Sequence, residues 1–255
     1  GGREVTAILF NPLGVSRSEM VSIAVPVPGV VVNDVGGNPV SCEVLAATSS
    51  DPIRGYNYTL WILVENIQPL ETRVLTLKPQ FSRRAIPEIA LSSDGQITLS
   101  VLRGASATVD SKMGELMAVN GTIVRTTLNF YTPVVADNRS VGWKSENPCS
   151  SAYAFRPQPG GTKPYGPGPA PGTSVLLSQG TLVQQIRVVI DSAAGMESTI
   201  RVLSEDPSVH IVTKLGPLDI SNGFGQEAII RIVSDIASDG MWMTDANGMQ
   251  MMPRK

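Results

Sequence analysis

The run TLVQQIRVVI, from Thr181 to Ile190, decides the fold class of this chain. It is rich in aliphatic and β-branched residues, and turn-forming residues rather than helix caps bound it, which is typical of a β-strand. Other short runs along the chain have the same character. They are Val5 to Phe10, Met20 to Val25, Gly29 to Val32, Tyr58 to Val64, Arg73 to Leu77, Gln96 to Leu102, Thr122 to Phe130, Thr199 to Leu203, Val209 to Lys214, Glu227 to Val233 and Gly240 to Thr244. Many short strands, with no long apolar stripe capped at both ends, predict an all-β sandwich architecture.

Paired turn residues between these runs support the β prediction. Asp94-Gly95 and Asn247-Gly248 both lie between strand-like runs, so we expect each pair to form a tight hairpin turn. Gly36-Gly37, Asn120-Gly121 and Asn222-Gly223 also accept the positive φ angles of such turns.

Composition excludes two classes of partner. The chain has 255 residues, of which 16% are charged, and a formal net charge of −2. Apart from the adjacent pairs Arg83-Arg84 and Arg254-Lys255, its Lys and Arg residues are scattered singly, so nothing favours binding of a nucleic-acid backbone or an anionic membrane. No apolar run approaches the roughly 18 residues that a membrane span requires. We therefore expect a chain that binds neither nucleic acid nor membrane.

Two segments interrupt the strand pattern. KPQFSRRAIP, from Lys78 to Pro87, is polar and basic and predicts a connector, with a domain boundary between residues 82 and 83. PQPGGTKPYGPGPAPG, from Pro157 to Gly172, carries enough proline and glycine to oppose both helix and ladder pairing, so we expect a surface loop.

The residue types that usually build catalytic and metal sites are sparse. His210 is the only histidine, and a single imidazole in a strand-like run favours a structural role. Cys42 and Cys149 lack CxxC partners; they are compatible with one disulfide or with two packed thiols. No nucleophile elbow, phosphate loop or dinucleotide fingerprint occurs. The residues alone therefore indicate a binding or structural β module.

Four segments carry a resemblance to a known family. They are FNPLG (Phe10 to Gly14), SSAYAFRP (Ser150 to Pro157), GPLDISNGFGQEAIIRI (Gly216 to Ile232) and MTDANGMQMMPRK (Met243 to Lys255). In order and spacing they resemble the β-rich region of the class II α-mannosidases, glycoside hydrolase family 38, and above all its lysosomal, broad-specificity branch. The resemblance runs nearly from end to end of the chain.

This resemblance implies a fold and a parent activity. Residues 1–82 would form a small Ig-like β sandwich, and residues 83–255 part of a galactose-mutarotase-like β supersandwich. Family members cleave α-linked mannose from N-glycans with retention, using one carboxylate as nucleophile and another as acid/base. Their zinc ion is bound by Asp and His in an N-terminal α/β catalytic domain. We expect this chain to lack that domain, to bind no zinc itself and to be inactive alone.

The resemblance also implies residues that reach the mannose pocket. Tyr153 occupies the tyrosine of the family's Ala-Tyr-x-Phe-x-Pro segment, where it could contact substrate or serve as a buried strand tyrosine. Asp245 and Asn247 lie in the Thr-Asp-x-Asn-Gly turn, and turn formation is the stronger expectation for both. Arg254 takes the basic position after that turn, where a cation could hold a catalytic carboxylate ionised.

Partners and location follow as further expectations. The catalytic domain of the same enzyme and a mannose-containing N-glycan would be the partners, in a lysosomal or other secretory lumen. Three N-x-S/T sequons, at Asn57, Asn120 and Asn138, suit a lumenal glycoprotein. A domain without its partner should expose apolar surface, so we expect dimerisation through it. The alternatives are a free-standing carbohydrate-binding or adhesion module and a structural sandwich without ligand.

Overall fold

A computed structural model describes residues 3–47, 56–92, 94–133, 157–164, 174–191, 196–216, 227–245 and 250–254. Every regular element in these ranges is a β-strand, and every strand pairing between them is antiparallel. The predicted all-β class is therefore confirmed. The strands are β1 (Val5–Phe10), β2 (Arg17–Val25), β3 (Val30–Asn33), β4 (Pro39–Val40), β5 (Cys42–Ala46), β6 (Tyr58–Ile67), β7 (Thr72–Pro79), β8 (Ile89–Ala90), β9 (Gln96–Ser100), β10 (Ser106–Asp110), β11 (Leu116–Val119), β12 (Thr122–Pro133), β13 (Pro157–Pro164), β14 (Ser174–Gln179), β15 (Val183–Asp191), β16 (Met196–Leu203), β17 (Val209–Lys214), β18 (Glu227–Ser234), β19 (Trp242–Asp245) and β20 (Met251–Arg254).

The first seven strands form a two-sheet sandwich. One sheet has the order β1-β7-β3-β4 and the other the order β2-β6-β5. Val32 and Leu75 from the first sheet pack against Leu60 and Ile62 from the second in one buried cluster. Each such side chain contributes about 1.5–3 kcal/mol when fully buried, so the cluster holds the two sheets face to face.

The strands from β8 to β18 form a second sandwich. One sheet has the order β13-β12-β11-β10-β9, with β18 also paired to β12, and the other has the order β17-β16-β15-β14-β8. Leu99 and Val109 from the first sheet pack against Ile186 and Val202 from the second. The run TLVQQIRVVI, from Thr181 to Ile190, thus supplies β15, a central strand of this core. The boundary between residues 82 and 83 stays a prediction.

Charged and apolar contacts join the two sandwiches. Glu43 in β5 accepts hydrogen bonds from the backbone N–H of Thr181 (2.6 Å), Leu182 (3.1 Å) and Val183 (3.2 Å), in the turn between β14 and β15. The Thr181 hydroxyl donates to the same carboxylate at 2.6 Å. A Cβ at Gly180 would overlap this carboxylate and lie 2.8 Å from the Val183 carbonyl oxygen, so a larger residue there would displace the contact. Beside it, Leu45, Trp61, Val183 and Leu203 form a small buried cluster of their own.

A partly buried ion pair fixes the connecting segment onto the second sandwich. Arg187 in β15 donates two hydrogen bonds to Glu88, at 2.9 and 2.5 Å, and a third to the buried Glu197 at 3.3 Å. The hydrogen bonds to Glu88 raise the pKa of Arg187 further above its ordinary value. Glu88 directly precedes β8, so this pair anchors the strand at which the second sandwich begins.

Two local predictions need correction. Asp94-Gly95 forms no hairpin turn, because β8 pairs with β14 and β9 pairs with β10, so this turn carries the chain from one sheet to the other. The predicted Pro-rich loop contains β13, which pairs with β12. Prolines are tolerated there because β13 lies at the end of its sheet order, where one side needs no ladder partner.

Other sequence features had mixed outcomes. Asn120-Gly121 forms the tight turn between β11 and β12, with φ angles of 48° and 82°. Cys42 is a half-buried free thiol, whereas Cys149 and Asn222-Gly223 lie outside the described residues. Within the described ranges, no helix has the length and apolar character needed to cross a bilayer.

We predict that Glu43→Ala loosens the junction between the sandwiches. The substitution leaves the N–H groups of residues 181–183 without their charged acceptor, which should cost about 1–3 kcal/mol of unfolding free energy. Urea denaturation measures this change. Glu65→Ala removes an exposed glutamate from the adjacent strand and should cost less than about 0.5 kcal/mol. Equal effects of the two substitutions would contradict a specific role for Glu43.

Candidate functional site

The sequence-predicted site residues concentrate on the last hairpin of the chain. Asp245 ends β19 and Arg254 ends β20, and these two strands pair with each other. Tyr153 and Asn247 lie outside the described residues, as does Gly248 of the expected turn. The hairpin expected on either side of Asn247-Gly248 is therefore present, while the geometry of its turn residues is not described.

The strand register separates Asp245 from Arg254. Arg254 lies opposite Trp242, and Asp245 lies opposite Met251. Because paired residues share a face and faces alternate along a strand, Arg254 and Asp245 project from opposite faces of the hairpin. The structure therefore does not bring these two predicted site residues together.

A hydrogen bond orients Arg254. Its Nε donates to the Thr244 hydroxyl at 3.0 Å, diagonally across the hairpin. Thr244 and Trp242 lie on the same face as Arg254 by the alternation of the strand. Arg254 is exposed, and its hydrogen bond to Thr244 uses Nε alone. The two Nη groups at the end of the side chain could donate to a carboxylate or a sugar hydroxyl.

Exposed apolar side chains are frequent from β18 onward. Ile232 is 63% exposed and Trp242 is 57% exposed. We call the whole set, which is spread over both faces of β18 and of the β19–β20 hairpin, the C-terminal apolar surface: Ile230, Ile232, Val233, Ile236, Met241, Trp242, Met243 and Met251. Ile230 and Ile232 share a face with Leu128 and Thr126 of β12, so they extend the interior face of that sheet beyond the part that the second core covers. Neighbouring exposed apolar side chains on one face of a sheet, such as Ile230 and Ile232, are typical of a protein interface.

A polar cleft lies where the two sandwiches meet. It has a volume of about 410 Å³ and draws its lining from β2, β6, β16 and β17. On its wall, the Arg201 guanidinium stacks over the Trp61 ring at 4.5 Å and donates to Gln185 at 2.9 Å. The cation covers the aromatic face, and Trp61 itself is only 6% exposed, so this ring is not free to stack on a sugar.

The single histidine also lies at this cleft. His210 Nε2 contacts Asp206 Oδ2 at 2.6 Å, and the Ser208 backbone N–H donates to Asp206 Oδ1 at 2.8 Å. Partial burial acts to raise the pKa of Asp206, but the hydrogen bonds from His210 and Ser208 outweigh it and hold the pKa below its ordinary value. Sequence reasoning did not find this cleft, because its residues come together only through the packing of two sandwiches.

A zinc site does not assemble from the described part of the chain. There, no three His, Cys, Asp or Glu side chains converge as a ligand set would require. His210 is engaged with Asp206. These residues do not fit the zinc ion that the family resemblance implies for the parent enzyme.

Comparison with known proteins identifies the family. A family model described as the glycosyl hydrolases family 38 C-terminal domain matches residues 115–255, more than half of the chain. This chain belongs to that family. The match includes β12, β18 and the hairpin with Asp245 and Arg254. The C-terminal apolar surface thus belongs to the family 38 C-terminal domain.

Relatives match over almost the entire chain. The lysosomal alpha-mannosidase of Dictyostelium discoideum is 24% identical over 272 residues, which cover 99% of this chain and 26% of that protein. The lysosomal alpha-mannosidase of Homo sapiens is 26% identical over 260 residues, covering 97% and 24%. A family 38 protein of known structure from Enterococcus faecalis superposes with a TM-score of 0.47 at 10% identity, covering 97% of this chain and 34% of that one. The chain spans about a quarter of the length of the curated relatives it matches.

We predict that Asp206→Asn lowers the free energy of unfolding near neutral pH but not at acidic pH. Because folding lowers the pKa of Asp206, its charge stabilises the fold above the ordinary aspartate value of 3.8, and this contribution is lost as the pH falls through the lowered value. The variant should lose less than about 1 kcal/mol at pH 5 to 7. Thermal unfolding across pH measures the difference, which should close below pH 3.8.

Asp235→Asn is the matched control, since Asp235 is exposed in the segment after β18. Its stability should follow that of the parent chain at every pH. A destabilisation by Asp206→Asn that persists unchanged at pH 3 would show that the carboxylate charge is not responsible.

Proposed function

We propose that this chain is the C-terminal β region of a retaining α-mannosidase that hydrolyses α-linked mannose from N-glycans. The carrying observation is the family 38 match over residues 115–255, together with alignment of nearly the whole chain to proteins named as alpha-mannosidases. Because the chain spans only about a quarter of those relatives, the nucleophile and the zinc ligands would lie in a separate part of the enzyme.

The C-terminal apolar surface supports a docking role toward a catalytic α/β domain. Ile230 and Ile232 lie side by side on one face of β18, and Trp242 adds a large ring nearby in sequence. Burial of apolar surface contributes about 25 cal/mol per Å², so covering these side chains would give a strong driving force for association. The catalytic domain of the same polypeptide is always at high effective concentration, which favours it over a soluble partner.

The hairpin supports a supplementary role at the mannose pocket. Arg254 has its Nε bound to Thr244, which leaves the Nη groups to hold a catalytic carboxylate ionised or to donate to a sugar hydroxyl. Asp245 projects from the other face, so a turn-forming role suits it better than contact with the same sugar. Tyr153 and Asn247 keep the roles that the family resemblance implies.

A lysosomal lumen is the proposed location. The relatives from Dictyostelium discoideum and Homo sapiens are both named as lysosomal enzymes. The sequons at Asn57, Asn120 and Asn138 fit a protein that passes through the secretory pathway.

Activity measurements on the chain alone test the proposed function. We expect no hydrolysis of an aryl α-mannoside and no bound zinc by elemental analysis, because the chemistry requires a metal and two carboxylates that other parts of the enzyme supply. The full-length protein should hydrolyse the same substrate. Robust turnover by the isolated chain with stoichiometric zinc would contradict the proposal, and glycan-array binding without any turnover by the full-length protein would favour a carbohydrate-binding module.

The docking role predicts the behaviour of the exposed isoleucines. The isolated chain should dimerise and bind a hydrophobic dye, and the double variant Ile230→Thr/Ile232→Thr should reduce both, because threonine keeps the β propensity but removes apolar area. Val35→Thr, at a valine that is 82% exposed on the first sandwich, is the control and should change neither. Sedimentation and dye fluorescence measure the two effects. A strictly monomeric chain with negligible dye binding would contradict an uncovered interface.

A further inference from the structure

The turn between β11 and β12 presents an N-x-T sequence at the tip of a hairpin. Val119 pairs with Thr122, so Asn120 and Gly121 alone form the turn, with φ angles of 48° and 82°. Asn120, Gly121 and Thr122 are all exposed. A two-residue hairpin of this kind holds both the asparagine and the hydroxyl residue of the sequon outside the body of the sheet.

The side chain of Asn120 has a fixed orientation. Its Oδ1 accepts hydrogen bonds from the Ser106 backbone N–H at 2.7 Å and from the Ser106 hydroxyl at 3.3 Å. In the described part of the chain, the side-chain hydrogen bonds of Asn120 all use Oδ1. The amide nitrogen lies on the other side of the planar amide group, so it is directed away from Ser106. An N-linked sugar keeps the amide carbonyl intact, and these bonds are therefore compatible with modification at Nδ2.

We propose that Asn120 carries an N-linked oligosaccharide. In this reaction Nδ2 loses one proton and forms a bond to the anomeric carbon of an N-acetylhexosamine, while the bond from that carbon to a polyprenyl diphosphate breaks and the diphosphate leaves with the electron pair. The donor is a lipid-diphosphate-linked oligosaccharide of the secretory pathway. The proposal rests on the lumenal location given under the proposed function.

The sequon at Asn57 differs in its packing. Its third residue, Thr59, is only 6% exposed within β6, and the Asn57 carbonyl accepts a hydrogen bond from the Ala47 N–H at 2.9 Å. A transferase that must reach the threonine hydroxyl can act there only before β6 is formed. The exposed turn at Asn120 stays accessible after the sheet has folded.

A glycan at this tip also limits how a partner can approach. Ile123 lies next to the turn, and its carbonyl accepts a hydrogen bond from the Asp235 N–H at 3.4 Å, just after β18. The oligosaccharide would therefore occupy the end of the sheet at which β12 begins and β18 ends. A docked catalytic domain must leave that end of the sheet in solvent. It would have to cover the exposed apolar side chains of β18 from a direction away from the glycan.

Mass spectrometry of the full-length protein secreted from a eukaryotic host tests the assignment. Trypsin cleavage after Lys112 and Arg125 releases residues 113–125, in which Asn120 is the only asparagine. We expect this peptide mainly as an intact glycopeptide with hexose and N-acetylhexosamine fragment ions. The intact glycopeptide must be measured, because an Asn-Gly pair can also convert to aspartate spontaneously and mimic the product of enzymatic deglycosylation.

Substitutions at Thr122 provide matched controls that leave Asn120 in place. Thr122→Ser retains the hydroxyl and should retain the glycan, whereas Thr122→Val keeps the shape and β propensity and should lose it. A predominantly unmodified peptide in the secreted parent protein, or a glycan that persists in Thr122→Val, would overturn the proposal. Hydrolysis of an aryl α-mannoside is measured on the same preparation. A protein that hydrolyses the substrate but carries no glycan refutes only the glycosylation of Asn120. A glycosylated protein without activity refutes only the proposed α-mannosidase function.

Discussion

The arrangement of the two sandwiches depends on the hydrogen bonds that the Glu43 carboxylate accepts across their junction. This carboxylate accepts backbone N–H bonds from three successive residues of the β14–β15 turn, so it satisfies donors that no strand ladder reaches. The neighbouring cluster of Leu45, Trp61, Val183 and Leu203 is buried at the same junction. The directional hydrogen bonds to Glu43 set the relative orientation of the two sandwiches, and burial of the apolar cluster adds to the stability of the junction.

The junction holds the second sandwich against the first, and the second sandwich carries the exposed apolar side chains of β18. The Arg187 pair with Glu88 and Glu197 fastens the connecting segment to the same sandwich, so the chain is held on both sides of the boundary region. In that sandwich β12 pairs with β18, in which Ile230 and Ile232 remain exposed. Because these side chains lie on a strand that is already paired in a sheet, docking would order few further backbone residues, which lowers its entropic cost.

Much of the fold could be predicted from local pattern, because runs such as Val5 to Phe10 and Val209 to Lys214 are strands with the predicted bounds. Strand β5 was missed because CEVLA mixes a thiol and a carboxylate among its apolar residues, and the carboxylate is explained only by the distant turn it binds. Strand β13 was missed because its proline content predicts a loop. Prolines are tolerated in a strand at the edge of a sheet, but the sequence does not show which strand lies at the edge. Of the site, the hairpin could be predicted from Asn247-Gly248, whereas the separation of Asp245 from Arg254 follows from register, and the Arg201–Trp61 stack from tertiary packing.

The contact between Glu43 and Thr181 has a consequence for the order of assembly, since 138 residues separate the two partners along the chain. During synthesis the first sandwich can complete its core well before the β14–β15 turn leaves the ribosome. Until then the carboxylate and the apolar patch around Leu45 face solvent. Closing so long a loop is entropically costly, so this apolar patch stays uncovered until late in folding.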